Sequence, residues 1–334
     1  MTRVRAGVIG LGVGEQHVLG FRQHPDADVV ALADIDPDKR AMAQRKFPDC
    51  RLYDRAEALI DDPQVDVVSI ASFDDAHFAQ VERALAGGKH VFVEKPLCMK
   101  DDEFARLKAL RAGAPKLRLS SNLILRRTPR FLELRRRIAA GELGRLFMLE
   151  GDYNYGRVHK IIDGWRGHLP FYSVVHGGAI HVIDLLMWLA GERIVEVEAM
   201  GNAISTAGTH FRFNDMVAAT VRFESGAIGR IAANFGCVYP HFHRVVVYGT
   251  EATFENRPDG GLMWRSRDPA AAPDRLDGAY PGAAKGELIP SFVDAILGRG
   301  AAEVGEDDVF ATMAVSLAIE RAATEGRRVV VDYD

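Results

Sequence analysis

The first third of the chain alternates short apolar runs with amphipathic stretches. The apolar runs are rich in Val and Ile and predict strands at 6–9, 29–33, 65–71, 90–93 and 117–120. The amphipathic stretches between them predict helices at 16–23, 38–46, 75–86 and 101–111. Strands and helices that alternate in this way are typical of βαβ units around a parallel sheet buried on both faces.

The pattern changes after about residue 121. A helix at 129–140, a strand at 146–153 and a helix at 178–189 lead into consecutive strands joined by short Gly turns, at 195–203, 216–223, 226–234, 244–248 and 253–255. A succession of strands joined in this way predicts antiparallel hairpins. Residues 256–285 are expected to form the longest loop, before a helix at 307–324 and a strand at 328–331. We therefore expect an α/β protein with a parallel-sheet domain (1–121) and an α+β domain with a large open, mostly antiparallel sheet (122–334).

A glycine-rich loop joins the first predicted strand to the first helix. Gly10, Gly12 and Gly14 alternate with Leu11 and Val13. In this position, glycines let the backbone approach a pyrophosphate at the helix N-terminus. The third glycine comes one residue earlier than in the usual dinucleotide-binding spacing. A tight turn without a ligand is the alternative interpretation.

An acid ends the second predicted strand. Asp34 lies 20 residues after Gly14, where a carboxylate accepts hydrogen bonds from an adenosine ribose diol and repels a 2′-phosphate. It therefore predicts NAD rather than NADP. Asp36, followed by Pro37, is suited to cap the next helix.

Further motifs are spread over nearly the whole chain. They comprise the Gly-rich start running to His17, residues 69–72 leading to His77, residues 84–97 with Glu94-Lys95-Pro96, residues 141–144, Trp165-Arg166, residues 177–184 and residues 249–251. Together they resemble the glucose-fructose oxidoreductase/inositol dehydrogenase/rhizopine-catabolism (Gfo/Idh/MocA) family. The segment 84–97 is the most specific of them.

The resemblance implies an N-terminal Rossmann NAD-binding domain, a C-terminal substrate-binding and oligomerisation domain, and a substrate cleft between them. It also implies that Lys95 and His181 meet at the nicotinamide and that Lys95-Pro96 is a cis peptide. The expected cofactor-binding residues are Gly10, Leu11, Gly12, Val13, Gly14, Asp34, Ile35, Ser72, Phe73, His77, Glu94, Lys95 and Pro96.

Three positions depart from the family pattern. The glycine loop is one residue short, and Phe73-Asp74 replaces the usual Pro-Asn. Many members carry an Asp four residues before the helical His, where this chain has Gly177. The adjacent His176 is a candidate substitute.

Oxidation of a secondary alcohol needs a base for the hydroxyl proton. His181 titrates near neutrality and is the expected general acid/base, with Lys95 sharing the proton. Asp184, one helical turn later, is expected to orient the imidazole. The alternatives are a core histidine for His181 and a cap or solvent contact for Asp184.

Polar and aromatic residues after the first domain are expected to contact the substrate. They are Asn122, Arg126, Tyr153, Tyr155, Arg157, Trp165, Arg166 and His176. Aromatics beside cations favour a nucleotide sugar over a bare cyclitol. The arginine run from Arg126 to Arg137 is either a solvated helix face or a clamp for phosphate or carboxylate. His241 and His243 share a strand face without an apparent third ligand, so no metal is expected.

Composition narrows the class further. Lys and Arg number 42 against 46 Asp and Glu, so charge gives no reason to expect a nucleic-acid partner. The three cysteines show no CxxC spacing, which favours a reducing compartment. No apolar run approaches the ~20 residues of a membrane span, and no signal-peptide pattern is present, so we expect a cytoplasmic protein without a membrane partner.

These observations predict an NAD(H)-dependent oxidoreductase that acts on a ring hydroxyl or ketone of a sugar, cyclitol or nucleotide sugar. A homodimer or homotetramer is expected, because an open sheet leaves one face free to pair. Two alternatives stay open. One is a glycosidase-type or epimerising redox cycle without net NADH, and the other is a non-catalytic regulator that senses the dinucleotide.

Overall fold

The protein divides into two compact units. A computed structural model describes residues 3–334; Met1 and Thr2, which begin the predicted first domain, lie outside the described residues. The first unit holds the described residues up to Ile124 together with Ala284–Phe310. The second holds Leu125–Ala283 and Ala311–Asp334. Each unit is therefore built from two separate segments of the chain.

The first unit contains a parallel sheet. Over residues 3–124 its strands are β1 (Val4–Ile9), β2 (Ala27–Ala33), β3 (Arg51–Tyr53), β4 (Val67–Ile70), β5 (His90–Val93) and β6 (Leu119–Ser121). Its helices there are α1 (Gly14–Arg22), α2 (Pro37–Lys46), α3 (Ala56–Ile60), α4 (His77–Ala86) and α5 (Asp101–Ala112). The described strands form one sheet in the order β3-β2-β1-β4-β5-β6, and every neighbouring pair is parallel. The predicted Rossmann-type sheet is thus confirmed.

The central strands are apolar on both faces because helices cover both sides of the sheet. All four residues of β4 and all four of β5 are buried. Their carboxyl ends, at Ile70 and Val93, lie next to each other in the parallel register. Loops that follow neighbouring parallel strands therefore meet at one edge of the sheet, which is where ligands bind in this architecture.

The second unit contains a larger open sheet. Its described strands are β7 (Leu146–Asn154), β8 (Ile194–Asn202), β9 (Met216–Phe223), β10 (Ile228–Asn234), β11 (Phe242–Gly249), β12 (Thr253–Arg257), β13 (Gly260–Trp264), β14 (Asp274–Leu276) and β15 (Val329–Val330). Its first helices are α6 (Pro129–Ala139), α7 (His159–Ile162) and α8 (Ile180–Ala190). The strand order within the described chain is β14-β13-β12-β11-β7-β10-β9-β8-β15, and only the β7–β10 pair is parallel. The expected mostly antiparallel sheet is confirmed.

Residues 256–285 are not the uninterrupted loop that their Pro, Gly, Ala and Asp content predicted. This prediction was wrong because β13 and β14 lie within the segment. β13 pairs with β12 in a hairpin that opposes Met263 to Phe254, and both side chains are fully buried. Gly260 begins β13 with a positive φ of 148°, so the glycines that suggested a loop here belong to a strand.

The segment after this hairpin region packs with the first unit, whereas the sequence placed it in the second domain. Helix α9 (Ile289–Ile296) carries Phe292, whose ring lies 5.7 Å from that of Phe92 in β5. A Cβ on Gly20 in α1 would lie 2.5 Å from the carbonyl oxygen of Gly286, and a Cβ on Gly286 would lie 2.4 Å from the carbonyl oxygen of Gln16, so this segment packs backbone to backbone on α1. Helix α10 (Glu306–Glu325) follows.

Within residues 3–334, no helix is both long and apolar enough to cross a bilayer.

Candidate active site

The three loop glycines have different surroundings. Gly10 has a φ of +84°, and a Cβ there would collide with the carbonyl of Ala71. A Cβ on Gly14 would lie 3.0 Å from Cγ1 of Val8, so this glycine lets α1 pack closely on β1. A Cβ on Gly12 would have a single neighbour within 4 Å, Nζ of Lys39 at 3.9 Å. The open space over Gly12 fits the backbone approach that a dinucleotide pyrophosphate needs.

Asp34 ties the end of β2 to this loop. One carboxylate oxygen, Oδ2, accepts a hydrogen bond from the backbone N–H of Leu11 at 2.7 Å, and Oδ1 accepts one from Asp36 at 2.9 Å. The predicted cap is also confirmed, because Asp36 accepts from the backbone N–H of Asp38 at 2.9 Å, with Pro37 in the first turn of α2. Each carboxylate oxygen of Asp34 keeps a second lone pair for a ligand.

Glu94, directly after β5, lies in a buried polar network. Its Oε1 accepts a hydrogen bond from Nδ2 of Asn122 at 2.8 Å and lies 3.3 Å from Nε2 of His17. The other ring nitrogen of His17 lies 2.9 Å from the hydroxyl of Ser69. Asn122 also donates to the carbonyl of Lys285 at 2.9 Å. Asn122, predicted to contact substrate, is thus buried within the first unit and positions Glu94.

This network keeps the Glu94 carboxylate ionised. Burial alone would raise the pKa of Glu94, but the hydrogen bond with His17 and the nearby charges of Lys285, His17 and Lys95 outweigh it. The pKa of Glu94 therefore lies well below its usual range. A fixed negative charge stands one residue before Lys95.

The turn after Glu94 is held from its other side. The Lys95-Pro96 peptide is cis, as the resemblance implied. Nδ1 of the buried His77 donates to the carbonyl of Pro96 at 2.7 Å, and Nε2 lies 3.3 Å from the carbonyl of Ser72. His77 thus joins the loop after β4 to the turn that carries Lys95. Its own contact with a cofactor stays a prediction, as do those of Ile35, Ser72 and Phe73, of which Ile35 and Phe73 are exposed.

In the second unit, His181 lies among aromatic rings at the start of α8. Its imidazole stacks on Tyr153 with centroids 6.1 Å apart, and Tyr153 stacks on Phe235 and Tyr155 at 5.7 and 5.9 Å. The β7–β11 register places His243 opposite Tyr153. We name this group the aromatic surface; it comprises the half-buried Tyr155, His181 and His241 and, beneath them, the buried Tyr153, Phe235 and His243.

One histidine of the aromatic surface is locked in its neutral form. Burial, aided by the charge of His241, lowers the pKa of His243 to about 3. The Tyr280 hydroxyl contacts Nδ1 of His243 and accepts a hydrogen bond from its backbone N–H at 2.9 Å.

Phe235, His243 and Tyr280 were not predicted for the site. The spacing of His241 and His243, which places both on one face of a strand, could have indicated a binding site, but the sequence analysis considered these histidines only as metal ligands. Among the described residues, no group of three or more His, Cys, Asp or Glu side chains could hold a metal ion.

The space beside Gly177 is filled by another residue. A Cβ at this position would collide with the hydroxyl oxygen of Tyr172, which is 1% exposed. The neighbouring His176 is also buried, and its Nδ1 lies 2.8 Å from the Ser316 hydroxyl in α10. Burial lowers the pKa of His176 to about 3. His176 is therefore neutral at physiological pH, which does not suit it to replace a carboxylate.

Asp184 has a strong partner other than the predicted one. Its two oxygens accept hydrogen bonds from the Arg126 guanidinium, including Nε to Oδ2 at 2.9 Å, and Thr312 lies 3.3 Å away. Both members of this ion pair are buried. The pair joins the chain before α6 to α8. Orientation of His181 by Asp184 and substrate contact by Arg126 stay predictions.

The other predicted substrate residues lie in the same unit. The guanidinium of Arg157 lies 5.4 Å from the centre of the Tyr155 ring, so the structure brings these two together at the aromatic surface. Trp165 and Arg166 form a separate cation–π pair at 4.4 Å within a short 3₁₀ turn.

The fold and these groups define a two-domain, dinucleotide-dependent dehydrogenase. A family model described as an oxidoreductase family with an NAD-binding Rossmann fold matches residues 4–121, and a Gfo/Idh/MocA C-terminal domain model matches residues 131–255. The chain belongs to the Gfo/Idh/MocA family and is an NAD-dependent oxidoreductase that acts on CH–OH groups. The predicted family, fold class and cofactor are thus confirmed.

Several of the similar proteins are named as dehydrogenases of a cyclitol or a sugar. Inositol 2-dehydrogenase of Acidothermus cellulolyticus is 27% identical over 326 residues, 95% of this chain and 92% of that protein. Inositol 2-dehydrogenase 2 of Saccharopolyspora erythraea is 32% identical over 197 residues, which span 58% of this chain and only 56% of that relative. A levoglucosan dehydrogenase solved with NADH and levoglucosan superposes with a TM-score of 0.83 at 21% identity, covering 99% of this chain and all of the other.

The glycine loop gives a prediction with an internal control. Gly12→Ala adds a methyl group in open space, so we expect less than about 1 kcal/mol loss of stability but at least a tenfold weaker NADH affinity. Gly10→Ala forces an L side chain to positive φ against a backbone carbonyl and should cost about 1–3 kcal/mol of stability. Urea unfolding and NADH fluorescence titration separate the two effects. Unchanged NADH affinity in Gly12→Ala would show that the coenzyme does not approach this loop.

The Arg126–Asp184 pair predicts a stability effect. Asp184→Asn leaves the Arg126 charge buried with a weakened partner, so we expect up to about 3–5 kcal/mol loss in urea unfolding. Glu133→Gln, which disrupts surface pairs with Arg136 and Arg137, is the control and should cost less than about 1 kcal/mol. A fall in kcat with unchanged stability would instead favour the catalytic role predicted for Asp184.

Proposed function

We propose that the protein is an NAD(H)-dependent dehydrogenase of an uncharged, polyhydroxylated ring, a cyclitol or a free sugar. The observation that carries this proposal is the aromatic surface, on which the one half-buried histidine of α8 stacks against Tyr153. Aromatic faces pack against the apolar C–H face of such a ring, while imidazole and phenol groups hydrogen-bond its hydroxyls. The named activities of the similar proteins, on inositols and levoglucosan, support the same substrate class.

The arginine run argues against a phosphorylated or nucleotide-linked substrate. Its members have partners within the second unit. Arg126 pairs with Asp184, Arg130 donates to Asn256 and to the carbonyl of Arg257, Arg135 donates to the carbonyl of Leu189, and Arg136 and Arg137 donate to Glu133. Arg130 and Arg135 join α6 to β12 and α8, whereas Arg136 and Arg137 pair with Glu133 within α6 itself. These five arginines are therefore engaged within the protein, which argues against the phosphate clamp that a nucleotide sugar, favoured by the sequence, would use.

In this proposal His181 removes the hydroxyl proton and Lys95 shares it. Bound NAD⁺ supplies the hydride acceptor. Glu94 and His77 hold the turn on either side of Lys95, so that its ammonium group starts from a fixed backbone. Tyr153 and Tyr155 support the substrate ring, and Arg157, Trp165 and Arg166 are proposed to flank it.

The proposal predicts turnover and its loss in two variants. The wild-type chain is expected to reduce NAD⁺, followed at 340 nm, with at least one member of a panel of inositols, aldoses, ketoses and anhydrosugars. Lys95→Met and His181→Gln should each lower kcat by about 10²-fold or more while NADH still binds, because each removes one proton-transfer group. Fluorescence titration of NADH checks that binding is retained.

A surface histidine provides the control for these variants. His159→Gln, at the exposed first residue of α7, should leave kcat within about twofold of wild type. Full activity in both Lys95→Met and His181→Gln would contradict the proposed roles. Ring epimerisation or glycoside cleavage without accumulation of NADH would favour the redox-cycle alternative. Coenzyme binding without turnover of any compound would favour the regulator.

Asp34 is proposed to select NAD by accepting hydrogen bonds from the ribose diol. Asp34→Asn removes the charge, keeps one oxygen that can accept from the Leu11 N–H and gives up the hydrogen bond from the Asp36 N–H, so urea unfolding is used to check that the variant is folded. We expect the ratio of the NADPH to the NADH dissociation constant to fall about tenfold, because a carboxylate no longer faces the 2′-phosphate. Parallel titrations with both coenzymes measure it. An unchanged ratio in a folded variant would refute the ribose role.

Several finer expectations stay predictions. They are the homodimer or homotetramer, the cytoplasmic location, the absence of nucleic-acid and membrane partners, and the domain limits 1–121 and 122–334. The oligomer is testable by light scattering of the purified chain.

A further inference from the structure

Tyr280 determines which nitrogen of the His243 imidazole carries the proton. The backbone N–H of His243 donates to the phenol oxygen of Tyr280 at 2.9 Å, and the same oxygen contacts Nδ1 of the ring. Burial raises the pKa of Tyr280, so the phenol keeps its own proton. Within residues 3–334, Nδ1 of His243 is the one acceptor that the phenol O–H contacts. The phenol therefore donates to Nδ1, and the proton of the neutral imidazole lies on Nε2.

Both members of this pair are held by neighbours in the second unit. The Tyr280 ring lies 4.9 Å from the ring of Phe242, and the Arg130 guanidinium lies 5.3 Å from its centre. The carbonyl of His243 accepts a hydrogen bond from Nδ2 of Asn256 at 2.7 Å. Residue 243 precedes the part of β11 that pairs with β12, which begins at residue 245. Side chains therefore satisfy its backbone groups on that side and fix the start of the imidazole.

The second ring nitrogen of His243 lies at the aromatic surface. No hydrogen bond to Nε2 occurs within residues 3–334, yet Nε2 is not one of the polar atoms that are buried without a partner. The ring lies edge-on to Tyr153 at 5.1 Å, and its centre is 6.3 Å from that of His181. Two imidazoles therefore border the place where the substrate ring is proposed to lie, and one of them has a fixed N–H.

His243 donates a hydrogen bond without carrying a charge. Burial, aided by the charge of His241 with ring centres 5.0 Å apart, lowers the pKa of His243 to about 3. The imidazole therefore stays neutral over the whole range from about pH 5 to 9. An N–H held in this way binds the lone pair of a hydroxyl oxygen, whereas an ammonium group offers it no acceptor.

The reacting hydroxyl is not the expected partner of this N–H. A hydroxyl has one proton and two lone pairs. In the proposed function, His181 takes the proton of the reacting hydroxyl and Lys95 contacts its oxygen. His243 projects from a different element, β11, so its N–H is placed to meet the hydroxyl on the next carbon of the ring.

We propose that Tyr280 is a positioning residue that holds His243 as the Nε2–H tautomer, and that this N–H binds the oxygen of a hydroxyl next to the oxidised carbon. The preferred substrate is therefore a ring that carries a vicinal diol. The inference rests on the proposed function, in which His181 meets the reacting hydroxyl. A ring with hydrogen or an ammonium group at the neighbouring carbon leaves the donor without an acceptor.

The tautomer is measured without substrate. In the full chain labelled with ¹⁵N-histidine, ¹⁵N–¹H correlation spectra distinguish the protonated from the unprotonated nitrogen of a neutral imidazole, and His243→Gln assigns the His243 signals. Wild type should carry the proton on Nε2, unchanged between about pH 6 and 9. Tyr280→Phe should populate the Nδ1–H tautomer. Tyr333→Phe is the matched control, because it loses a hydroxyl hydrogen bond to the carbonyl of Ile194, and it should leave these signals unchanged.

The role in specificity is measured with the panel compound that wild type oxidises with the highest kcat/KM. Its two deoxy analogues each lack one hydroxyl next to the reacting carbon. One analogue is expected to lose about tenfold in kcat/KM on wild type, the size of one hydrogen bond, and His243→Leu should reduce this difference below about threefold.

The variants should separate KM from kcat. For the parent compound, His243→Leu should raise KM about tenfold and Tyr280→Phe about threefold, with kcat within about threefold of wild type in both. His243→Gln keeps an amide N–H near the position of Nε2 and should recover most of the loss. Tyr333→Phe should leave both constants unchanged.

Three results would overturn the inference. The first is an Nδ1–H tautomer in wild type. The second is a kcat/KM that is equal for the parent compound and both analogues, or a deoxy effect that persists in His243→Leu. The third is a loss of kcat rather than a rise of KM in His243→Leu, which would place the imidazole at the reacting oxygen.

Urea unfolding checks that each variant is folded, and the wild-type spectrum and the wild-type analogue comparison need no variant. Failure of the proposed function is distinguishable. A wild-type chain that oxidises no compound of the panel removes the substrate role, whichever tautomer His243 adopts.

Discussion

A buried, ionised carboxylate at the end of β5 is the constraint on which the first unit depends. A charge removed from water costs several kcal/mol unless it is paired and hydrogen-bonded. Glu94 meets this requirement with His17 from α1, Asn122 from the end of β6 and the charge of Lys285 from the distant segment 284–310. Elements that lie far apart in the sequence therefore meet at Glu94. Lys95, the next residue, is fixed as a consequence.

In the second unit, glycines position His181 because they let α8 and the turn before it approach the sheet closely. Gly151 in β7 faces α8, where a Cβ would lie 3.0 Å from Val182, and Gly178 faces the rings of Tyr153 and Phe235 at 2.6 and 2.7 Å. A larger residue at either position would push α8 away from the sheet. A π-helical turn at Val175–Ala179 directly precedes the α-helix and is fully buried. Small residues thus bring His181 onto the aromatic surface.

Local patterns predicted most of the fold, and long-range pairing explains where they failed. The strands of the first unit and the cap at Asp36 depend on residues near each other in sequence, so periodicity and turn chemistry were sufficient. The His17–Glu94 contact and the packing of α9 on the first unit join residues far apart in the chain, and no local signal marks them. Asp184 shows the same limit. Its i, i+3 spacing predicts an interaction with His181, which stays a prediction, but nothing local predicts its ion pair with Arg126, 58 residues away.

The two units differ in the charge of their buried polar groups. The first unit, where the coenzyme is proposed to bind, buries charged groups, and the second, where the substrate is proposed to bind, buries neutral histidines. The first unit keeps the carboxylates of Asp34 and Glu94 beside cations, which hold the pKa of Glu94 well below its usual range. In the second unit, burial keeps His176 and His243 neutral, with pKa values lowered to about 3, and only the half-buried His181 among these three is open enough to exchange a proton with a bound ring. An uncharged polyol can bind such a surface without stripping water from an ion. In the proposed reaction, proton transfer involves the imidazole of His181 and the ammonium group of Lys95.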